Sequence, residues 1–481
     1  MIAAFDDLWD QTREAFAQRR TWRRGRHLAL GALVGLGRQT VSGMVAATGQ
    51  QFGDWSAFYR LFAHERFDSQ ALLAPARRAV IARLDPGAPL VVLMDDTLVR
   101  KRGRQIAGAG WRRDPLGPPF ADNIIWAQRF LQLSAALPET AAGGQEGRAR
   151  AIPIDLVHCP SPCKPSPRAA PAQWDHYRQT RAATKISQHG ARHVAALRAA
   201  MDREGQHQRP LIVSADGAFT NRTVLAPWPE RTTLVGRLRK DAKLYAPPAP
   251  ADQAGRGRKR CYGAVLPTPE QMRQDPTIPW QPVRAFAAGR HFDFDVKVAG
   301  PVRWRPAGPR DLRLLIIRPL AYRLTQNGRL LYRSPVYLIC SDPHLAPAQI
   351  LQAYLWRWEI EVNFRDQKTL LGTGQAQVRT AAAAERVPVM IAAAYAYLHL
   401  ALVISTARQG ATSALPRPRW QKPQPGQRCS TQYALQLLRT QLWGQALGIG
   451  NFSDFVRRQQ ARTKSEKFIP DPACVLFYAS G

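Results

Sequence analysis

Apolar positions in the first 85 residues recur at helical spacing with few β-branched runs, which predicts a helical region. Within it, Thr40 to Gly49 and Trp55 to Arg60 read as two short helices joined by a polar turn. Ser56 can cap the second, leaving Tyr59 and Arg60 outward, a pattern compatible with a helix-turn-helix or with ordinary helical packing. The pattern changes at Pro89. Leu90 to Met94 is a continuous apolar run of the kind a buried strand shows, and it ends in Asp95-Asp96-Thr97. Ile124 to Leu137 and Ala151 to His158 predict further strands, and Trp174 to Arg203 one long polar helix. Pro210 to Ala215 repeats the buried-strand pattern and ends in Asp216-Gly217, with another strand expected over Thr233 to Gly236.

From 237 to about 335 the chain turns basic and proline-rich with alternating runs such as His291 to Val298, which predicts a mostly β insertion. Val336 to Cys340 returns to strand character, and a helix is expected from Pro347. Val389 to Ala407 has no charge over nineteen residues. That could just span a bilayer, but the alanine content, His399 and two tyrosines favour a helix buried in a large domain. A proline-rich basic linker from Ala414 to Arg428 leads to a short helix over Gln432 to Leu447. The expected division is therefore 1–85 helical, 86–236 and 336–412 the two parts of an α/β core, 237–335 the insertion, and 413–481 linker and C-terminal helix.

Charge narrows the partner. Lys and Arg number 68 against 35 Asp and Glu, a formal charge of +33, and they are spread along the chain rather than gathered on one amphipathic helix. Nucleic acid fits this better than a membrane surface. The six scattered cysteines give no disulfide framework, in keeping with a reducing cytosol, and the early acids of the N-terminus do not look like a secretory leader. His158, Cys159 and Cys163 lack a second ligand pair for zinc and sit in a proline-rich loop.

The chemistry concentrates in one segment. On a helix, Tyr354, Arg357, Glu361 and Lys368 fall within roughly 60° of one another, while Glu359 and Asp366 project to the far side. A carboxylate flanked by cations suits a metal ion on a phosphodiester, although mixed charge on a helix face commonly means solvated ion pairs. Two buried strands ending in aspartate make a three-carboxylate site for Mg²⁺ or Mn²⁺ plausible, since ligands bind at the carboxyl ends of strands in α/β sheets.

Taken together, Asp95-Asp96-Thr97, Ala215-Asp216-Gly217 and the spaced Tyr354, Arg357, Glu361 and Lys368 resemble the acidic triad and Tyr–Arg–Glu–Lys signature of bacterial insertion-sequence transposases of the DDE class. The resemblance spans roughly residues 20 to 410. It implies an RNase H-like mixed-sheet core interrupted by a β insertion, with Asp95, Asp216 and Glu361 as catalytic metal ligands for Mg²⁺, for which Mn²⁺ can substitute. It further implies that Tyr354, Arg357 and Lys368 contact DNA. The family pattern of Asp, any residue, Thr favours Asp95 over Asp96; strand alternation does not decide between them. Trp280 and Trp304 are candidates for the family's DNA-distorting tryptophan. The expected substrate is double-stranded DNA, both terminal inverted repeats and target, handled by a dimer in the bacterial cytoplasm at the nucleoid. The alternatives are an inactive DNA-binding relative and an RNase H-like nuclease without strand transfer.

Overall fold

The computed structural model describes residues 1–114, 123–139, 147–249, 259–325, 328–409 and 428–446, with isolated positions 117, 118, 120, 415 and 420. The first 85 residues form α1 (Ile2–Asp10), α2 (Arg19–Val34), α3 (Val41–Ala47), α4 (Ser56–Ala63) and α5 (Ser69–Ile81). Thr40 caps α3 by accepting from the Gly43 amide at 3.0 Å. Gly31 lets α2 cross α3 closely, because a Cβ there would stand 2.2 Å from the Met44 carbonyl oxygen. The expected cap at Ser56 is not the one formed. The Asp54 carboxylate accepts from the Ser56 hydroxyl, the Ala57 amide and Arg60, since an ionised acceptor outcompetes a hydroxyl.

The strands are β1 (Leu90–Arg100), β2 (Gly110–Arg113), β3 (Ile124–Pro138), β4 (Ala149–His158), β5 (Leu211–Ala215), β6 (Thr232–Arg237), β7 (Leu244–Tyr245), β8 (Gln281–Ala287), β9 (Arg290–Trp304), β10 (Leu312–Ile317), β11 (Ala321–Tyr322), β12 (Leu331–Tyr332) and β13 (Val336–Cys340). Among the described residues one mixed sheet of eleven strands runs β2-β3-β1-β5-β6-β13-β10-β9-β7, with β4 added on β3 and β8 on β9. β1, β5 and β6 are parallel and the flanking pairs antiparallel. This mixed α/β arrangement is consistent with the RNase H-like nuclease fold. Strands between 237 and 335 extend the main sheet, because β10 pairs β13 and β9 pairs β10.

Alternation along β1 separates two cores. Val92 and Met94 join a cluster that reaches the N-terminal helices, while Val91 and Leu93 join one on the other face. The polar stretch after β4 holds two helices, α6 (Pro171–Ala183) and α7 (Ile186–Arg203), where one was expected. Helices α8 (Arg222–Leu225) and α9 (Pro269–Gln274) are short. Then come α10 (Pro347–Trp356), α11 (Trp358–Thr369), α12 (Ala381–Gln409) and α13 (Thr431–Ala446). α12 is long and apolar enough to cross a membrane, yet it is almost wholly buried, packed by α1, α2, α5 and β4. Most of the 414–428 linker lies outside the described residues.

Candidate active site

β1 does not end at its aspartates as its apolar run implies. Antiparallel pairing with β3 continues past Asp95↔Gln132 to Arg100↔Ala127, whereas parallel pairing with β5 stops at Met94↔Ala215. Asp95 therefore sits where β1 and β5 part, and Asp216 follows β5 at the same level. Asp216 is held by a local turn in which its Oδ1 accepts from the Ala218 amide at 2.9 Å. Asp95 continues the face of Leu93, and Asp96 that of Met94. Asp96 is clamped by Arg129 through two hydrogen bonds, 2.6 Å from Nε and 3.0 Å from Nη2.

The helix carrying Glu361 breaks at Arg357. There the Arg357 amide donates to the Tyr354 carbonyl and the Ile360 amide to the Arg357 carbonyl, three-residue bonds that tighten the turn between α10 and α11. A uniform 100° wheel across 354–368 is thus only approximate. The break aims the half-buried Arg357 guanidinium at the sheet, donating from Nη1 to Asp95 Oδ2 at 2.9 Å and from Nη2 to Glu361 Oε1 at 3.4 Å. The Tyr354 ring lies 6.0 Å from the same guanidinium. Lys368 is set apart at the other end of α11, where its neighbouring charges are Asp114, Arg100 and Asp96; burial lowers its pKa.

The electrostatics match the crowding. Burial pushes the Asp95 carboxyl up to about 7 against the pull of Arg357, with Asp216 and Asp96 adding to the rise. Burial also raises Glu361, Arg357 opposing and Asp216 reinforcing. The Asp216 charge thus bears on both Asp95 and Glu361, and Arg357 pairs with those two.

The donor set is oxygen only and suits a hard divalent cation such as Mg²⁺, which would relieve the same repulsion that Arg357 now offsets. Among the described residues no three His, Cys, Asp or Glu side chains are grouped closely enough to hold a metal as they stand. Between Asp95 and Glu361 the guanidinium takes that place. Metal loading would need Arg357 to turn away, toward a phosphate.

The far-side acids have other employment. Glu359 pairs with Arg428, which also reaches Glu139, and Asp366 is buried, accepting from Thr431 at 2.5 Å. A buried polar seam went unread in the sequence. Asn363 Oδ1 accepts from Ser134 at 3.1 Å and Gln132 at 3.3 Å, its Nδ2 donates to the Ala151 carbonyl at 3.1 Å, and Gln367 donates to Gln132 at 3.1 Å. Gln132 and Ser134 alternating with leucines on β3, and Asn363 and Gln367 four apart on one helix face, carried that information.

Residues 13–291 match the family described as DDE superfamily endonuclease, more than half of the chain, and the chain belongs to that family. It is an enzyme of the nuclease or transposase type acting on DNA, from a superfamily that generally uses divalent metal ions. The match includes both aspartate strands and ends before Glu361. No curated protein matches the chain.

Proposed function

We propose that the protein is an insertion-sequence transposase of the Tyr–Arg–Glu–Lys subclass, cutting DNA at element ends and joining the freed 3′-hydroxyl to target DNA. The observation that carries this reading is the bridging of Asp95 and Glu361 by Arg357 beside Asp216, at the open edge between β1 and β5. Asp95, Asp216 and Glu361 would hold Mg²⁺, with Mn²⁺ as a substitute. When bound, the ion supplies Lewis-acid stabilisation of charge on phosphate oxygens and a more acidic water. Arg357, released from the acids, donates to a backbone phosphate in the fork geometry guanidinium favours. The Tyr354 hydroxyl donates to a neighbouring phosphate oxygen, and Lys368 adds a cation further along α11. The 1–85 helices would contribute end recognition, with a dimer on the DNA and the bacterial nucleoid as the place of action.

The test uses the DNA flanking the coding region on a supercoiled plasmid, with Mg²⁺ present. Wild-type protein should nick at the element ends and yield joined products. Glu361→Gln should bind the same fragment, with affinity falling steeply as salt rises, and should not nick. Nicking by Glu361→Gln at the wild-type rate would sink the site. Nicking without any joined product would instead favour a nuclease lacking strand transfer.

A further inference from the structure

A cleft of about 1040 Å³ opens between the β2–β3 edge, the proline-rich segment after β4, and α6. Its lining carries Arg112, Arg129, Lys164, Arg178, Arg181 and Lys185 and no acidic side chain. Two of these cations have acids of their own, Arg129 with Asp96 and Arg178 with Asp175. Among the described residues Lys164, Arg181 and Lys185 have no carboxylate partner, and Arg112 forms no ion pair although the charge of Asp96 reaches it. Arg112 is further marked by a buried Nε with no hydrogen-bond partner, although its Nη2 donates to Ser161. Such a lining is built for an anion with repeated charges.

Aromatic rings alternate with the cations. Trp111 and Trp126 meet edge to face at 5.6 Å on one wall, Arg104 covering one side of them at 4.7 and 5.4 Å from the ring centres, and Trp111 is 57% exposed. Trp174 and Tyr177 meet at 6.0 Å and 90° on α6 opposite. α6 sends no side chain into the core; its two rings are half-buried against each other, with Lys164 5.8 Å from the Trp174 ring centre. Flat faces beside unpaired cations suit bases stacked alongside a phosphate backbone. A duplex hides its base faces, and an unpaired strand offers them.

We infer that this cleft binds an unpaired stretch of DNA strand on the face of β1 opposite the acidic site. A single β-strand separates the two, since the Arg129 that lines the cleft pairs with Asp96, whose neighbour Asp95 points to the other face of β1. The inference rests on the proposed function in taking a strand opened by cleavage as the occupant.

The test measures binding by the full chain in EDTA, where no cutting occurs, of labelled oligo(dT) of about 16 nucleotides and of a blunt duplex of equal length. The double variant Trp174→Ala/Tyr177→Ala should weaken oligo(dT) binding by roughly tenfold or more and leave duplex binding within about twofold. Arg181→Glu should weaken oligo(dT) binding as well. Because α6 is outside the core, both variants should keep the wild-type melting curve. Unchanged oligo(dT) binding by both variants overturns the cleft, and so does an equal loss for single strand and duplex. Mg²⁺-dependent plasmid nicking by wild-type protein is scored separately. If nicking is present and the variants bind oligo(dT) normally, the cleft fails alone. If nicking is absent while oligo(dT) binding depends on the rings, the proposed function fails alone.

Discussion

Burying the Asp95 carboxylate beside Asp216 is tolerable because Arg357 donates to it at 2.9 Å and reaches Glu361 with its other arm. One cation therefore offsets a repulsion that would otherwise favour protonating the acids, which is the direction in which burial already pushes Asp95 and Glu361. Glu359, two residues before Glu361, has the same chemistry and a different employer. It is tied to Arg428, each about a quarter exposed, and Arg428 also touches Glu139. Glu359→Gln should accordingly cost roughly 1–2 kcal/mol of stability, between the values for exposed and buried pairs. Nicking by the folded variant should stay near wild type. Thermal melts and the plasmid assay read the two effects separately. A folded Glu359→Gln as inert as Glu361→Gln would show that the wrong acid was chosen on this helix.

Glu361 is aimed by an element rather than by its own contacts. Asn363 and Gln367 fasten α11 to β3 through Gln132 and Ser134, all buried, so the helix cannot slide without breaking paired polar groups. Asn363→Ala should cost about 2–3 kcal/mol, because Gln132, Ser134 and the Ala151 carbonyl lose partners without regaining water. Nicking should fall further than the folded fraction does as α11 shifts. Loss of activity that only tracks unfolding in a urea titration would refute the positioning role. The apolar runs marked β1, β3, β5 and β13 well, because continuous or alternating burial is written directly in residue type. The extension of β1 through Asp95 to Arg100 was not legible, because it depends on β3 pairing beside it. Nor was the break at Arg357, where helix-forming residues run without interruption and the tight turn follows from tertiary pull on the guanidinium. Nor was the cap at Asp54 in place of Ser56, because two eligible side chains lie two residues apart and only the ionised one accepts from the Ala57 amide.

At the scale of the described residues the first helix, α13 and the insertion are knitted into one body. The Ile2 amide donates to Gln441 at 2.8 Å, α12 packs on α1, α2 and α5, and β9 and β10 prolong the central sheet. A chain of formal charge +33 holds this body together against self-repulsion, and acid should expose the strain. Three histidines are buried: His158 at the end of β4 and His189 on α7, close enough for their charges to interact, and His399 on α12. Burial lowers His158 and His189 to about 4 and His399 well below its ordinary value. Around His158 the charged neighbours Lys101, His189 and Arg112 push the same way, while Phe130 stacks on its ring and Gln128 lies 3.3 Å from Nε2. The unfolded chain takes up these protons near pH 6.5 and the folded chain only near 4 or below. Between those values the unfolded state binds more protons, so stability should fall as pH drops from about 6.5 toward 4 and be flat in this respect above 6.5. His158 alone should account for on the order of 2 kcal/mol of that loss. Melting temperatures from pH 7.5 to 4.5 should therefore decline, and His158→Gln should decline less steeply from its own starting value. A melting temperature that holds level to pH 4.5, or an unchanged slope in His158→Gln, would mean that these histidines do not govern the acid limit of the fold.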